Sequence, residues 1–177
     1  MSASDRGAGP VPDGERALLR HALATLVYRA EKTLAAPPAE FAELRIAPDA
    51  RTPLQLVGHL GDVLEWAFEL CEGRWTWKAA SLGAWDADVQ RFRAAAERLD
   101  ARLADAAPLG HPATQIFQGP IADAFTHVGQ LALLRRLAGA PVRPESFARA
   151  EIRAGNLAHD PDVPRREFDG DASFGRR

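Results

Sequence analysis

Asp123 and His127 stand four residues apart in GPIADAFTHVGQLALLRRLAG, residues 119–139, a stretch with the periodicity of one amphipathic helix. Side chains at that spacing leave the same helix face one turn apart. Gln130 and Leu134 continue the stripe. An acid, an imidazole and an amide therefore occupy positions where a soluble bundle would ordinarily place leucine. A second stretch, TPLQLVGHLGDVLEW, carries His59 on a stripe with Leu56, Val63, Trp66 and, one turn further, Leu70; Asp62 lies on its edge.

Moving a carboxylate and two imidazoles out of water is costly unless they gain a partner. A divalent cation offsets that cost. It accepts two neutral imidazole nitrogens and one carboxylate oxygen, and leaves coordination positions for water or substrate. His59, Asp123 and His127 are thus the candidate metal ligands. Asp62 and Gln130 are candidates to orient those ligands or to hydrogen-bond a bound water. Taken alone, each half also reads as ordinary packing. A single histidine on an apolar face is usually a satisfied core residue, and an acid and a histidine four apart often form a plain helical pair. The convergence of two helices singles the three residues out.

Other reactive side chains fit no such pattern. His21 lies off its helix's apolar stripe, His111 sits beside Pro112, and His159 falls in a polar segment, so all three are expected at the surface. Cys71 ends its helix at the wrong angle to join His59 and is expected to pack. No serine or cysteine stands in a nucleophile motif, and no glycine loop could cradle phosphate. Trp75, Trp77 and Trp85 share one loop, where they could line a pocket or anchor the loop to the core. Arg135 and Arg136 read as a solvated helix end.

Four long helices would have to position these groups. Leu19, Leu23, Leu26, Val27, Ala30 and Leu34 mark the first, from Glu15 to Ala36, stopped by Pro37–Pro38. Thr52, Pro53 and Gln55 form a capping box opening the second, which runs to about Glu72 with Gly73 as its stop. Asp86 is the expected cap of the third, which carries Val89, Phe92, Ala96, Leu99 and Leu103 to near Ala106. Gly119–Pro120 opens the fourth, and Gly139 with Pro141 closes it. A short helix is expected over 145–153.

The expected architecture is all-α: a four-helix bundle over 14–143 with long loop connections, a flexible arm at 1–13, and an irregular tail within 144–177 laid on the bundle. Ile121, Phe125, Val128 and Ala132 form a second apolar face on the last helix, beside Gly129, and suggest a homodimer contact; the competing reading is a helix that is central and buried all round.

The chain of 177 residues has 46 % hydrophobic and 26 % charged residues, the balance of one globular domain. A net charge of −2 offers no basic field for nucleic acid. The single cysteine forbids an intrachain disulfide, and neither a secretory signal nor a membrane span is legible. A cytoplasmic protein acting on a small molecule, with no nucleic-acid or membrane partner, is the expectation.

These two stretches resemble the DinB/YfiT superfamily. TPLQLVGHLGDVLEW is similar to its second-helix signature, with a proline near the start, then a ligand histidine, then an acid and an aromatic residue. GPIADAFTHVGQLALLRRLAGAPV looks like its final helix, with a ligand pair four apart, then Gly-Gln and an Arg-Leu-x-Gly ending. The likeness covers about 15–143 and implies a four-helix bundle, usually dimeric, holding a divalent metal. It implies His59 as first ligand, Asp123 as the middle one and His127 as the last.

Many members have histidine where this chain has Asp123; the mycothiol-dependent members carry an acid there. A carboxylate favours harder ions, which leaves zinc, nickel, iron and manganese all open. The resemblance further implies a thiol S-transferase using mycothiol or bacillithiol, with Asp62 or a water handling protons and with Trp66 and Gln130 against the cofactor. A metal that only supports the bundle, or metal-dependent hydrolysis, are the alternatives.

Overall fold

The computed structural model describes residues 14–157. The expected arm at 1–13, His159 and the tail from 158 onward lie outside the described residues. Four long helices dominate: α1 (Gly14–Leu34), α2 (Pro53–Cys71), α3 (Trp85–Ala104) and, after the short α4 (Ala113–Ile116), α5 (Ala122–Leu137). No β-strand occurs among the described residues, so the chain is an all-α bundle. None of the helices is long and apolar enough to cross a membrane.

Local chemistry explains the start of α2. The Thr52 side chain accepts from Gln55 N, and the Gln55 side chain accepts from Thr52 N, with Pro53 at the first helical position. Both orphan donors are satisfied reciprocally, which pins the helix carrying His59. At the other end Gly73 adopts a φ of 78°, the left-handed conformation that stops a helix cheaply only with glycine.

Other boundaries differ from the sequence reading. Ala84, not Asp86, is the N-cap of α3; Asp88 reaches back from within the first turn to accept from Gly83 N at 2.8 Å. A buried carboxylate thereby ties the end of the preceding loop to the first turn of the helix, without capping it. The last helical segment begins at Ala113 rather than Gly119, and passes through a π-helical turn, Phe117–Ile121, before α5. Pro120 lies inside that turn. Its missing N–H and its ring cannot fit a regular helix interior, and the widened turn accommodates both. The short helix expected over 145–153 is one 3-10 turn, Phe147–Arg149.

The helices pack as a ring in the order α1, α3, α2, α5, with each consecutive pair in contact and α5 closing on α1. The connections α1–α2 and α3–α5 therefore cross the bundle diagonally, which accounts for their length. The ring makes α2 and α5 neighbours, as the proposed ligands require. Leu23, Leu26, Leu60, Leu64, Phe92, Leu99 and Ile116 fill the centre, fully buried. Each such side chain contributes roughly 1.5–3 kcal/mol relative to exposure.

Ile121 and Val128 also lie in this core, and Phe125 packs against it. The face of the last helix that read as a homodimer contact is thus largely used within the subunit.

Buried and half-buried arginines tie the ring together. Arg20 pairs with Asp100 and Arg93 with Glu31, both across α1–α3. Arg91 on α3 lies against Gly61 of α2, where a Cβ would come within 2.8 Å of Nη1, and donates to Gly58 O at 2.6 Å. Arg135 is buried rather than solvated. It donates to Ala35 O at 2.8 Å and Thr33 O at 3.2 Å, holding the end of α1 against α5.

Candidate metal centre

Two neighbouring helices bring His59, Asp123 and His127 together. His59 comes from the middle of α2; Asp123 and His127 come from the first two turns of α5, directly after the π-helical turn. Asp123 lies between the imidazoles. Its Oδ2 is 3.5 Å from His59 Nε2 and its Oδ1 is 3.3 Å from His127 Nε2. Two ligands about 2.1 Å from a tetrahedral zinc stand about 3.4 Å apart, so these separations match a shared ion. One ligand atom from each of the three residues lies within 4.8 Å of the others, and the group could hold a metal ion.

The hydrogen bonding supports that fit. His127 Nδ1 lies 2.9 Å from Gln130 Oε1. With Gln130 Oε1 as acceptor, Nδ1 carries the proton and Nε2 is left with its lone pair towards Asp123. Gln130 is thereby placed within hydrogen-bond reach of His127, on the side away from Asp123. The His59 and His127 rings meet edge to face, with centroids 4.6 Å apart. Acceptor atoms converging on one point repel unless a cation or a shared proton lies between them.

His59 is held below the ordinary histidine pKa. Burial is the main cause, the positive charge of Arg51 the next and the neighbouring His127 the third, against the opposite pull of Asp123 and Asp62. The imidazole is therefore neutral, the form that binds metal. In the metal-free protein the sign of the linkage is set. Below pH 6.5 the unfolded chain protonates His59 before the folded chain does, so folding stability falls as pH drops through that value. Urea unfolding of metal-free protein should show a larger acid loss of stability for wild type than for His59→Gln. Equal losses would remove His59 as the source.

The ligands sit at a cavity of about 550 Å³, whose wall includes Arg51, Leu56, Gln130 and Leu134. Side-chain exposure is 18 % for His59, 11 % for His127 and 45 % for Asp123, so the site opens on the Asp123 side. Structural metal sites are ordinarily closed by four protein ligands. This one offers three and a cavity.

Asp62, expected to handle protons, faces elsewhere. It accepts from Arg91 Nη1 at 2.6 Å and from Ala80 N at 3.1 Å, and lines a second cavity with Trp66. Through Oδ1, which accepts from both Arg91 and the Ala80 amide, its carboxylate holds α3 and the tryptophan loop onto α2. Trp66 is likewise outside the metal cavity, one ring removed. Trp77 packs edge-on against both Trp66 and His59, with centroids 5.8 and 5.6 Å away.

The three tryptophans make different contacts. Trp77 packs against His59 and Trp75 against Trp66, while Trp85 opens α3 and packs on Phe41 at the core. His111 is half-buried and meets the exposed Trp75 ring edge to face, with centroids 5.2 Å apart. Cys71 is fully buried, and burial pushes its thiol up to about 11, which suits packing and not chemistry.

The sequence reading missed Arg51 and Ile46 as cavity residues. Arg51 could have been placed beside the helix start by its position next to the Thr52 cap, but nothing local shows that it faces the cavity. No family model, curated protein or solved structure matches the chain.

Proposed function

We propose that the chain is a divalent-metal-dependent enzyme acting on a small molecule, of the thiol S-transferase type. The observation that carries this reading is the meeting of His59 Nε2, an Asp123 oxygen and His127 Nε2 at the edge of an open cavity. Three ligands with access on one side suit a reactive centre better than a structural one. The sequence likeness to the DinB/YfiT superfamily points to the same three residues and to a thiol co-substrate.

A bound divalent ion would supply a Lewis acid that keeps a coordinating thiol or water deprotonated near neutral pH. The protein's own groups supply the rest. Gln130 holds His127 in the tautomer that frees Nε2, Trp77 covers one edge of His59, and Leu56 and Leu134 give the substrate an apolar wall. Asp123 is the only negative charge among the three ligands, and it sits where the centre meets solvent.

The test is conjugation of a model electrophile, monobromobimane, with mycothiol or bacillithiol by zinc-, nickel-, iron- or manganese-loaded protein. Thiol consumption should depend on metal and disappear in Asp123→Ala. If metal raises the unfolding temperature while no thiol is consumed, the ion only supports the bundle. Turnover of an ester without added thiol would instead assign hydrolysis.

A further inference from the structure

The cavity beside the metal centre has an uneven lining. Ile46, Leu56, Leu133 and Leu134 make most of its wall apolar, and Ile46 and Leu133 remain 52 % and 54 % exposed. Against this stands one cationic side chain, Arg51. Among the described residues its guanidinium has no carboxylate or carbonyl partner, in contrast to Arg20, Arg91, Arg93 and Arg135, each of which is bonded across the bundle. An exposed, unpaired guanidinium at an apolar cavity is free to meet an anion, unlike the arginines that act as straps.

Its setting is ordered. The neighbouring Arg45 donates to Pro48 O at 3.2 Å and to Ala50 O at 2.9 Å, folding the segment that carries Ile46 and Ala50 into the wall. Thr52, the next residue, is locked by the capping box. Arg51 therefore extends from a backbone held on both sides.

We propose that Arg51 is a specificity residue for the carboxylate of an amphipathic small-molecule substrate, whose apolar body lies on Ile46 and Leu133 and whose other end faces the metal ligands. This assignment of substrate class rests on the metal-enzyme reading above. A carboxylate fits better than a phosphate for two reasons. One guanidinium fork matches one carboxylate bidentately and balances a single charge. A dianion would find no second cation in the lining, and would face Asp123.

Calorimetric titration with octanoate, octyl phosphate and the neutral octanamide tests this, on zinc-loaded and metal-free protein. Wild type should bind octanoate more tightly than either comparison ligand. Arg51→Gln should weaken octanoate about tenfold or more, Arg51→Lys should restore part of the loss, and octanamide should bind all three alike. Zinc retention, measured separately, should persist in Arg51→Gln. Equal octanoate binding by wild type and Arg51→Gln, or none by wild type, overturns the role of Arg51; tighter octyl phosphate overturns the carboxylate. Failure of wild type to bind zinc defeats the metal reading alone, and the metal-free titrations then still decide the role of Arg51.

Discussion

Asp123→Ala should bind zinc at least ~100-fold more weakly than wild type, more than the 10–100-fold usual for losing an outer partner of a ligand. His59→Ala and His127→Ala should do the same. Asp123 carries the largest expected effect because it is the only anionic ligand and lies within 3.5 Å of both imidazole nitrogens. Without it, two neutral donors remain to hold a doubly charged ion. Its side chain is 45 % exposed, so truncation should leave the core intact and the unfolding transition of metal-free protein nearly unmoved.

Gln130→Ala should fall in the lower range, about 10–100-fold, since it removes only the acceptor that orients His127. Asp62→Asn is the control. Its partners are Arg91 and Ala80, so it should retain zinc. Zinc affinity measured by competition with a chromophoric chelator separates these classes. Wild-type retention by Asp123→Ala would dismantle the site, and loss in Asp62→Asn would return Asp62 to it.

Phe41→Ala should destabilise the protein by about 3–5 kcal/mol, the range for deleting a fully enclosed phenyl ring. Phe41 is 2 % exposed and packs edge-on against Trp85, with centroids 5.7 Å apart. It anchors the diagonal α1–α2 connection, whose later part bears Ile46 and Arg51 at the cavity. The loss therefore combines a cavity in the core with loosening of one wall of the site. Urea unfolding should show a lower midpoint with an unchanged slope. A shift under ~1 kcal/mol would mean that the Phe41 pocket collapses on truncation and anchors little.

The legible parts of the molecule share a physical reason. The capping box at Thr52 and Gln55, the stop at Gly73 and the stripe through His59 depend on residues within a turn or two of each other. The same holds for Asp123 and His127, whose spacing alone places them on one face. Periodicity also identified the four helices and most of the core, because burial of an amphipathic face is what stabilises each helix.

Where the reading failed, a distant partner decided the outcome. Pro120 read as a helix opening, yet helical turns from Ala113 precede it and the backbone widens to contain it. Arg135 read as a surface charge, yet carbonyls about 100 positions away bury it. Asp62 read as a proton carrier beside the metal, yet Arg91, 29 positions on, pairs with its Oδ1 at a second cavity.

From the sequence alone followed an all-α bundle and three side chains with the right chemistry to share an ion, because helix periodicity and ligand type are local properties. Only the tertiary structure could decide that α2 and α5 are neighbours in the ring, that Asp123 sits between the two imidazoles, and that Arg51 rather than Asp62 faces the cavity. Those outcomes depend on how diagonal connections and buried ion pairs set the helices against one another, over separations that no local pattern encodes.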